Sequence, residues 1–438
     1  MEREEVRKAI LDALARGANV LLVAPTGWGK TTLAAEIARE LASKGRGVVY
    51  TTPTLTLAQQ KVWSLLRDAN SVILTGGATA PGMCPRGHRW YPQKFCRKCE
   101  LKKNYNFEVP LRISFEELVS LLPDDVCPYW VQRGIEQRFI IRIGHFGRIK
   151  NLYKPGDLVI IDEFHEVFQP IITEIDLADF GLETIEDVAV LKERVEEMIA
   201  KTSNEEEFER LAYLYDALLK PAVWLEEGKL YAAEVRELDL NPQPQLFAIT
   251  ATPPPEFLRS PPAGWEIFRI TAEKKPIAYL YDECFFYDRY TSYKGDEWLA
   301  RATRPLYDFV IKKIEKGEIQ EIAIFAISSL RFYLSYTPLS DLIQRGFAKL
   351  YDAWGKNRVG VDLDEDGSLT FWPSFNVALR RAMRARGMDP ARAELINAVQ
   401  LAGRVRRPDR LTIFADCRFK KYKDYLSEFY ELEELPSS

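Results

Sequence analysis

The apolar positions along this chain switch repeatedly between two periods. Glu2–Arg16 is amphipathic at helical spacing, and Asn19–Ala24 is a short continuous apolar run of the kind a buried strand shows. Helical spacing returns over Thr31–Ser43, Gly45 and Gly47 end it, and Val48–Thr52 reads as the next strand. Leu158–Ile161, after the turn-like Lys154–Asp157, and Gln245–Thr250 are two more buried strands. A mostly helical stretch, roughly Leu182–Glu237, stands between them. From about Arg269 a second block begins, with Glu321–Ile327 and Arg410–Ala415 as its clearest strands. Strands alternating with helices predict an α/β protein built on parallel sheets.

The length of 438 residues calls for two to four structural units, because single cores rarely grow past about 250–300 residues. No apolar run reaches the roughly 18–20 residues of a membrane span. The charged start MEREEVRKAI has no apolar h-region, so a cytoplasmic protein without a membrane partner is expected. The net charge of −4 says little by itself. Residues 162–240 carry −15, residues 84–150 carry +6, and Arg380–Arg410 holds nine Arg. Phosphate binding needs a local positive surface rather than a positive total.

Ala24-Pro25-Thr26-Gly27-Trp28-Gly29-Lys30-Thr31-Thr32 follows a strand and opens a helix. Gly27 and Gly29 let backbone N–H groups turn inward around phosphate oxygens. Lys30 neutralises the β/γ-phosphates and the Thr31 hydroxyl ligates Mg²⁺. The second carboxylate site is Asp162-Glu163-Phe164-His165, directly after a buried strand. Asp162 at a strand's C-terminal end can hold Mg²⁺, Glu163 can orient and deprotonate an attacking water, and His165 would sense the γ-phosphate. ATP hydrolysis is the expected chemistry.

PTGWGKT followed by DEFH resembles the superfamily-2 helicases of the DEAH-type subgroup. Later motifs agree in order. Tyr50-Thr51-Thr52-Pro53-Thr54 resembles the strand-end motif that touches the nucleic-acid backbone, which places Thr54 on that path. Ile249-Thr250-Ala251-Thr252-Pro253 resembles the motif coupling hydrolysis to strand movement. Gln400-Leu401-Ala402-Gly403-Arg404-Val405-Arg406-Arg407 matches Gln-x-x-Gly-Arg-x-x-Arg, in which Gln400 and Gly403 line the nucleotide and Arg404 and Arg407 reach the ATP phosphates. The resemblance implies ATP bound between two RecA-like domains. Two departures stand out: no Gln precedes Gln59 to read adenine, and Gly355–Asp362 has Val359 where the family has Glu.

Four of the six Cys lie between the two ATPase motifs: Cys84, Cys96, Cys99 and Cys127, with 11, 2 and 27 residues intervening. Clustered Cys in such a chain point to metal rather than disulfides, and four thiolates suit either an iron–sulfur cluster or structural zinc. One Cys-x-x-Cys pair plus two singles in this place resembles the XPD/DinG-type helicases, which implies a [4Fe–4S] cluster. Arg89, Trp90, Tyr91, Arg97 and Lys98 interleave cations with aromatics around these cysteines, as single-stranded nucleic acid binding requires. Cys284 and Cys417 have no partner in the pattern and are expected as buried thiols.

The expected architecture is α/β with two RecA-like parallel-sheet domains, a four-Cys cluster domain and a short helical arch-like insert. The first RecA-like domain takes 1–83, 128–168 and 241–268, the cluster domain 84–127, the insert 169–240 and the second RecA-like domain 269–438. The resemblance implies an ATP-dependent helicase acting on single-stranded DNA and single-strand/duplex junctions, 5′-to-3′, with the iron–sulfur domain as wedge. The alternative is a DNA-stimulated ATPase or remodelling subunit, within a repair, viral or CRISPR-associated complex, without strong unwinding.

Overall fold

The computed structural model describes residues 2–85, 99–101, 107–234, 244–271, 274–286, 295–354, 363–405 and 410–435. The chain forms two compact units. The first comprises Met1–Thr250, Ser260–Ile270 and Asn376–Met388; the second comprises Ala251–Arg259, Thr271–Phe375 and Asp389–Ser438.

The first unit is built on an eight-stranded sheet. Its strands are β1 (Asn19–Val23), β2 (Val48–Thr52), β3 (Val72–Leu74), β4 (Arg112–Ser114), β5 (Ile141–His145), β6 (Leu158–Asp162), β10 (Gln245–Thr250) and β11 (Trp265–Arg269), in the order β11-β1-β10-β6-β2-β5-β3-β4. Every pairing is parallel. Strands buried on both faces read as unbroken apolar runs, which is why β1, β6 and β10 were legible in the pattern. One face packs against α1 (Arg3–Ala15) and α2 (Lys30–Ser43), with Val6, Ile10, Leu33 and Ile37 fully buried beside Val20, Tyr50 and Ile160. The order β1-β10-β6-β2 sets the loop after Val23, Thr250, Asp162 and Thr52 side by side on one sheet edge. In open parallel sheets that C-terminal edge is where ligands bind.

The insert differs from the helical expectation. It holds α4 (Val188–Lys201) and α5 (Glu205–Leu218), numbered after α3 (Pro128–Ile135), and also an antiparallel sheet of β7 (Ile171–Asp176), β9 (Lys229–Glu234) and β8 (Ala222–Glu226). Glu227 and Gly228 form the two-residue turn between β8 and β9, with φ of 50° and 72°. Positive φ at both positions is the type I′ geometry that matches hairpin twist. α6 (Val377–Ala385), rich in Arg, packs beside β8 in this first unit and buries Leu379 and Met383.

The second unit carries a six-stranded parallel sheet of β12 (Ile277–Leu280), β13 (Ile322–Ala326), β14 (Ala348–Asp352), β15 (Gly367–Thr370), β16 (Leu411–Phe414) and β17 (Glu431–Glu434), ordered β14-β13-β15-β16-β12-β17. Here one expectation is corrected: Cys284 and Cys417 are not free thiols but a disulfide across 133 residues. β12 and β16 are parallel neighbours, so the segments leaving their C-terminal ends meet although they are remote in sequence.

Candidate nucleotide site and cysteine cluster

The phosphate loop begins where β1 ends. Gly27 and Gly29 hold φ of 85° and 96°, a conformation that side chains disfavour, and Gly29 caps α2. The turn aims the first amides of α2 outward, a ready anion site. Lys30 is buried, and its Nζ donates to the carbonyls of Ala24 (2.8 Å) and Pro25 (2.9 Å), folding back over its own loop. Thr31 and Thr32 stand half-buried in the first turn of α2. Trp28 packs against the core of the first unit.

Asp162 terminates β6 and is nearly inaccessible. Its Oδ2 accepts from the Thr31 hydroxyl at 3.0 Å and the Tyr50 hydroxyl at 3.2 Å, and its Oδ1 accepts from the Glu163 amide at 3.0 Å. Burial and the adjacent Glu163 charge push the Asp162 carboxyl up to about 6, against the pull of Thr31, Lys30 and Tyr50. Glu163 adopts the left-handed region at φ 53°, a strained geometry for a non-glycine residue. Its Oε2 is buried, 3.5 Å from His165 Nδ1. His165 is buried, with Nδ1 3.0 Å from the Thr250 hydroxyl and Nε2 3.3 Å from Glu166. A hydroxyl and a carboxylate 3.0 Å apart are hard oxygen donors and fit Mg²⁺.

Thr54 is exposed at the end of β2 and caps the following turn, its hydroxyl accepting from the Leu57 amide at 3.1 Å. In the second unit Gln400 lies on α7 (Pro390–Ala402) and donates to the Thr252 hydroxyl. Gly403 caps that helix, and the Arg404 carbonyl accepts from the Leu363 amide at 3.2 Å. Arg407 lies outside the described residues, as does Gly355–Asp362.

Cys127 precedes α3, buried, with its sulfur 3.9 Å from the Met83 carbonyl. Burial pushes its thiol up, the backbone amides of Trp130 and Tyr129 pull it back, and Cys84 and Cys99 lie near enough to raise it further. Cys127 thus feels the charge of two of the other three cysteines, and thiols are the donors a soft metal centre takes. Among the described residues no group of three His, Cys, Asp or Glu closes into a metal site. Cys96, Arg89, Trp90, Tyr91, Arg97 and Lys98 lie outside those residues. A buried clamp holds the base of this region. Gln132 on α3 exchanges two 2.9 Å hydrogen bonds with the Gly76 peptide, and Arg148 donates to the same carbonyl at 2.8 Å. The clamp carries no motif in the sequence, and the motif that contains Tyr50 points to nucleic acid and not to Asp162.

Residues 4–80 match the DEAD/DEAH box helicase family. A 76-residue stretch is 36% identical to the chloroplastic DExH-box ATP-dependent RNA helicase DExH15 of Arabidopsis thaliana, covering 17% of this chain and 6% of that protein. An XPD helicase structure aligns over 99% of both chains at 15% identity and a TM-score of 0.63, and S. tokodaii Xpd4 over 99% of both at 13% and 0.49. The first of these two structural likenesses establishes the fold, two RecA-like domains. The family match is confined to residues 4–80, the part of the chain that carries the phosphate loop. Among the described residues no helix is long and apolar enough to cross a membrane.

Proposed function

We propose that this chain is an ATP-dependent DNA helicase of the XPD/DinG type, translocating on single-stranded DNA in the 5′-to-3′ direction and splitting duplex at single-strand junctions. The observation that carries the reading is the 3.0 Å contact between Thr31 and Asp162, with Glu163 next in the chain on the ligand edge of the sheet. The loop amides and Lys30 bind the β/γ-phosphates, so Lys30 must leave its carbonyl partners when nucleotide enters. Thr31 and Asp162 would hold Mg²⁺, which when bound neutralises phosphate charge. Glu163 orients the water and accepts its proton. Arg404 and Arg407, by the motif in which they stand, stabilise charge on the transferring phosphoryl group. Thr54 and the Arg89–Lys98 segment contact the strand by phosphate attraction and base stacking.

Cys84, Cys96, Cys99 and Cys127 would hold a [4Fe–4S] cluster, which when bound cross-links the loops of its domain and shapes the wedge. Support comes from the all-cysteine set and from the charge that Cys84 and Cys99 exert on Cys127. The short insert, whose described residues form two α-helices and three strands, favours a second reading, a translocase or remodelling subunit of a partner complex.

The test compares ATP hydrolysis by wild type and Lys30→Ala with single-stranded DNA, single-stranded RNA or neither, then strand separation on 5′- and 3′-tailed duplexes. DNA-stimulated hydrolysis lost in Lys30→Ala, with unwinding from the 5′ tail, is expected. Absence of stimulation sinks the proposal, stimulation by RNA alone moves the substrate class, and stimulation without strand separation selects the second reading.

A further inference from the structure

Tyr50 sits inside the sheet, fully shielded from solvent, between the aliphatic Ile143 and Ile160 of the two strands that flank it. A phenol there needs a partner for its hydroxyl, because a buried unsatisfied donor is costly. β2 and β6 run parallel with Tyr50 opposite Ile160. Asp162 is two residues further along β6, so it projects from the same face as Ile160. The phenol is long enough to lean along the strand and reach it, and its oxygen stands 3.2 Å from Asp162 Oδ2. The same Oδ2 accepts from Thr31 at 3.0 Å, and Oδ1 from the Glu163 amide at 3.0 Å. The carboxylate is therefore fixed from three elements: β2 through Tyr50, the phosphate loop through Thr31, and its own chain through Glu163. Of the three donors, Tyr50 is the one with no other part in nucleotide chemistry.

We propose that Tyr50 is a positioning residue for the Mg²⁺ site, holding the Asp162 carboxylate in the orientation that accepts the metal beside Thr31. This rests on the ATPase reading above. The hydroxyl donates to a carboxylate oxygen and cannot itself displace a metal-bound water, so its action passes through Asp162. Removing it frees Asp162 to rotate about its side-chain bonds, and metal affinity falls while the phosphate cradle of Gly27, Gly29 and Lys30 is untouched.

Tyr50→Phe tests this, since the ring keeps its place in the core and only the oxygen is lost. Binding of the non-hydrolysable analogue AMP-PNP is measured calorimetrically across a Mg²⁺ titration and again in EDTA, with thermal unfolding in EDTA as the fold control. Loss of a partner that orients a metal ligand typically costs about 10-fold in metal affinity, and that shift in the Mg²⁺ midpoint is the expected result. AMP-PNP affinity in EDTA should stay at the wild-type value, which separates positioning from general loosening. The same comparison in an Asp162→Asn background should show no further shift from Tyr50→Phe. An unchanged Mg²⁺ midpoint in Tyr50→Phe, or an equal shift in the Asp162→Asn background, overturns the inference and leaves the ATPase reading standing. Wild-type binding of AMP-PNP that ignores Mg²⁺ overturns both.

Discussion

His165 Nδ1 lies 3.0 Å from the hydroxyl of Thr250, joining the DEFH segment after β6 to the last residue of β10. Two residues further on, the Thr252 hydroxyl accepts from Gln400 within the second unit. The hydroxyls of one short Thr-Ala-Thr run thus serve different partners, and the division of the chain into units falls between Thr250 and Ala251. Thr250→Val should keep AMP-PNP binding, cost about 1 kcal/mol of stability for the lost buried hydrogen bond, and lower strand separation per ATP hydrolysed. Parallel assays of phosphate release and duplex unwinding check it.

On the proposed ATPase reading, Glu163 takes the proton from the attacking water. Glu163→Gln should leave nucleotide binding in place and slow hydrolysis by about 100-fold or more, the usual worth of a positioned general base. Single-turnover hydrolysis separates the two effects. A loss of binding equal to the loss of rate would instead make Glu163 a binding residue.

The cysteines divide into two classes with opposite expectations. Cys127→Ser should strip iron and acid-labile sulfide from the purified protein, whereas Cys284→Ser should leave both unchanged. A wild-type protein that carries zinc and no sulfide would replace the cluster with a structural zinc site.

The Cys284–Cys417 bond closes a loop of 133 residues. In the chain-entropy account such a link is worth about 4–5 kcal/mol, so reduction should lower the denaturant midpoint of the second unit by a large step. Unfolding followed with and without a reductant, and in Cys417→Ser, measures it.

Glu136 is buried beside Arg148, and burial outweighs the nearby Arg148 and Arg133 charges to raise its carboxyl above the usual range. A carboxyl raised on folding binds its proton more tightly in the native state, so its contribution to stability falls as pH rises from the unfolded to the folded pKa. Glu136→Gln lacks this titration. The thermal midpoint of wild type relative to Glu136→Gln should therefore decline on going from pH 4 upward.

The strands buried on both faces and the motifs whose chemistry is local are readable from the order of residues alone. β2 and β10 run from Val48 to Thr52 and from Gln245 to Thr250, the bounds their apolar runs indicate. A phosphate loop is a contiguous backbone shape, and its glycines and lysine announce it. Contacts between distant residues leave no such trace. Gly47 looks like a helix terminator, yet a Cβ there would collide with Asp157 Oδ1, on a carboxylate whose Oδ2 Arg142 holds in a buried ion pair at 2.6 Å. The Glu227–Gly228 hairpin was hidden because a helical reading of acidic residues absorbs it. Pairing of Cys284 with Cys417, the Gln132 clamp on Gly76 and the reach of Tyr50 to Asp162 were decided by which strands became neighbours. Strand order is a property of the packed sheet, fixed by burial summed over many residues. No window of sequence contains it, and it is what turns a tyrosine in an apolar run into a donor for the Asp162 carboxylate.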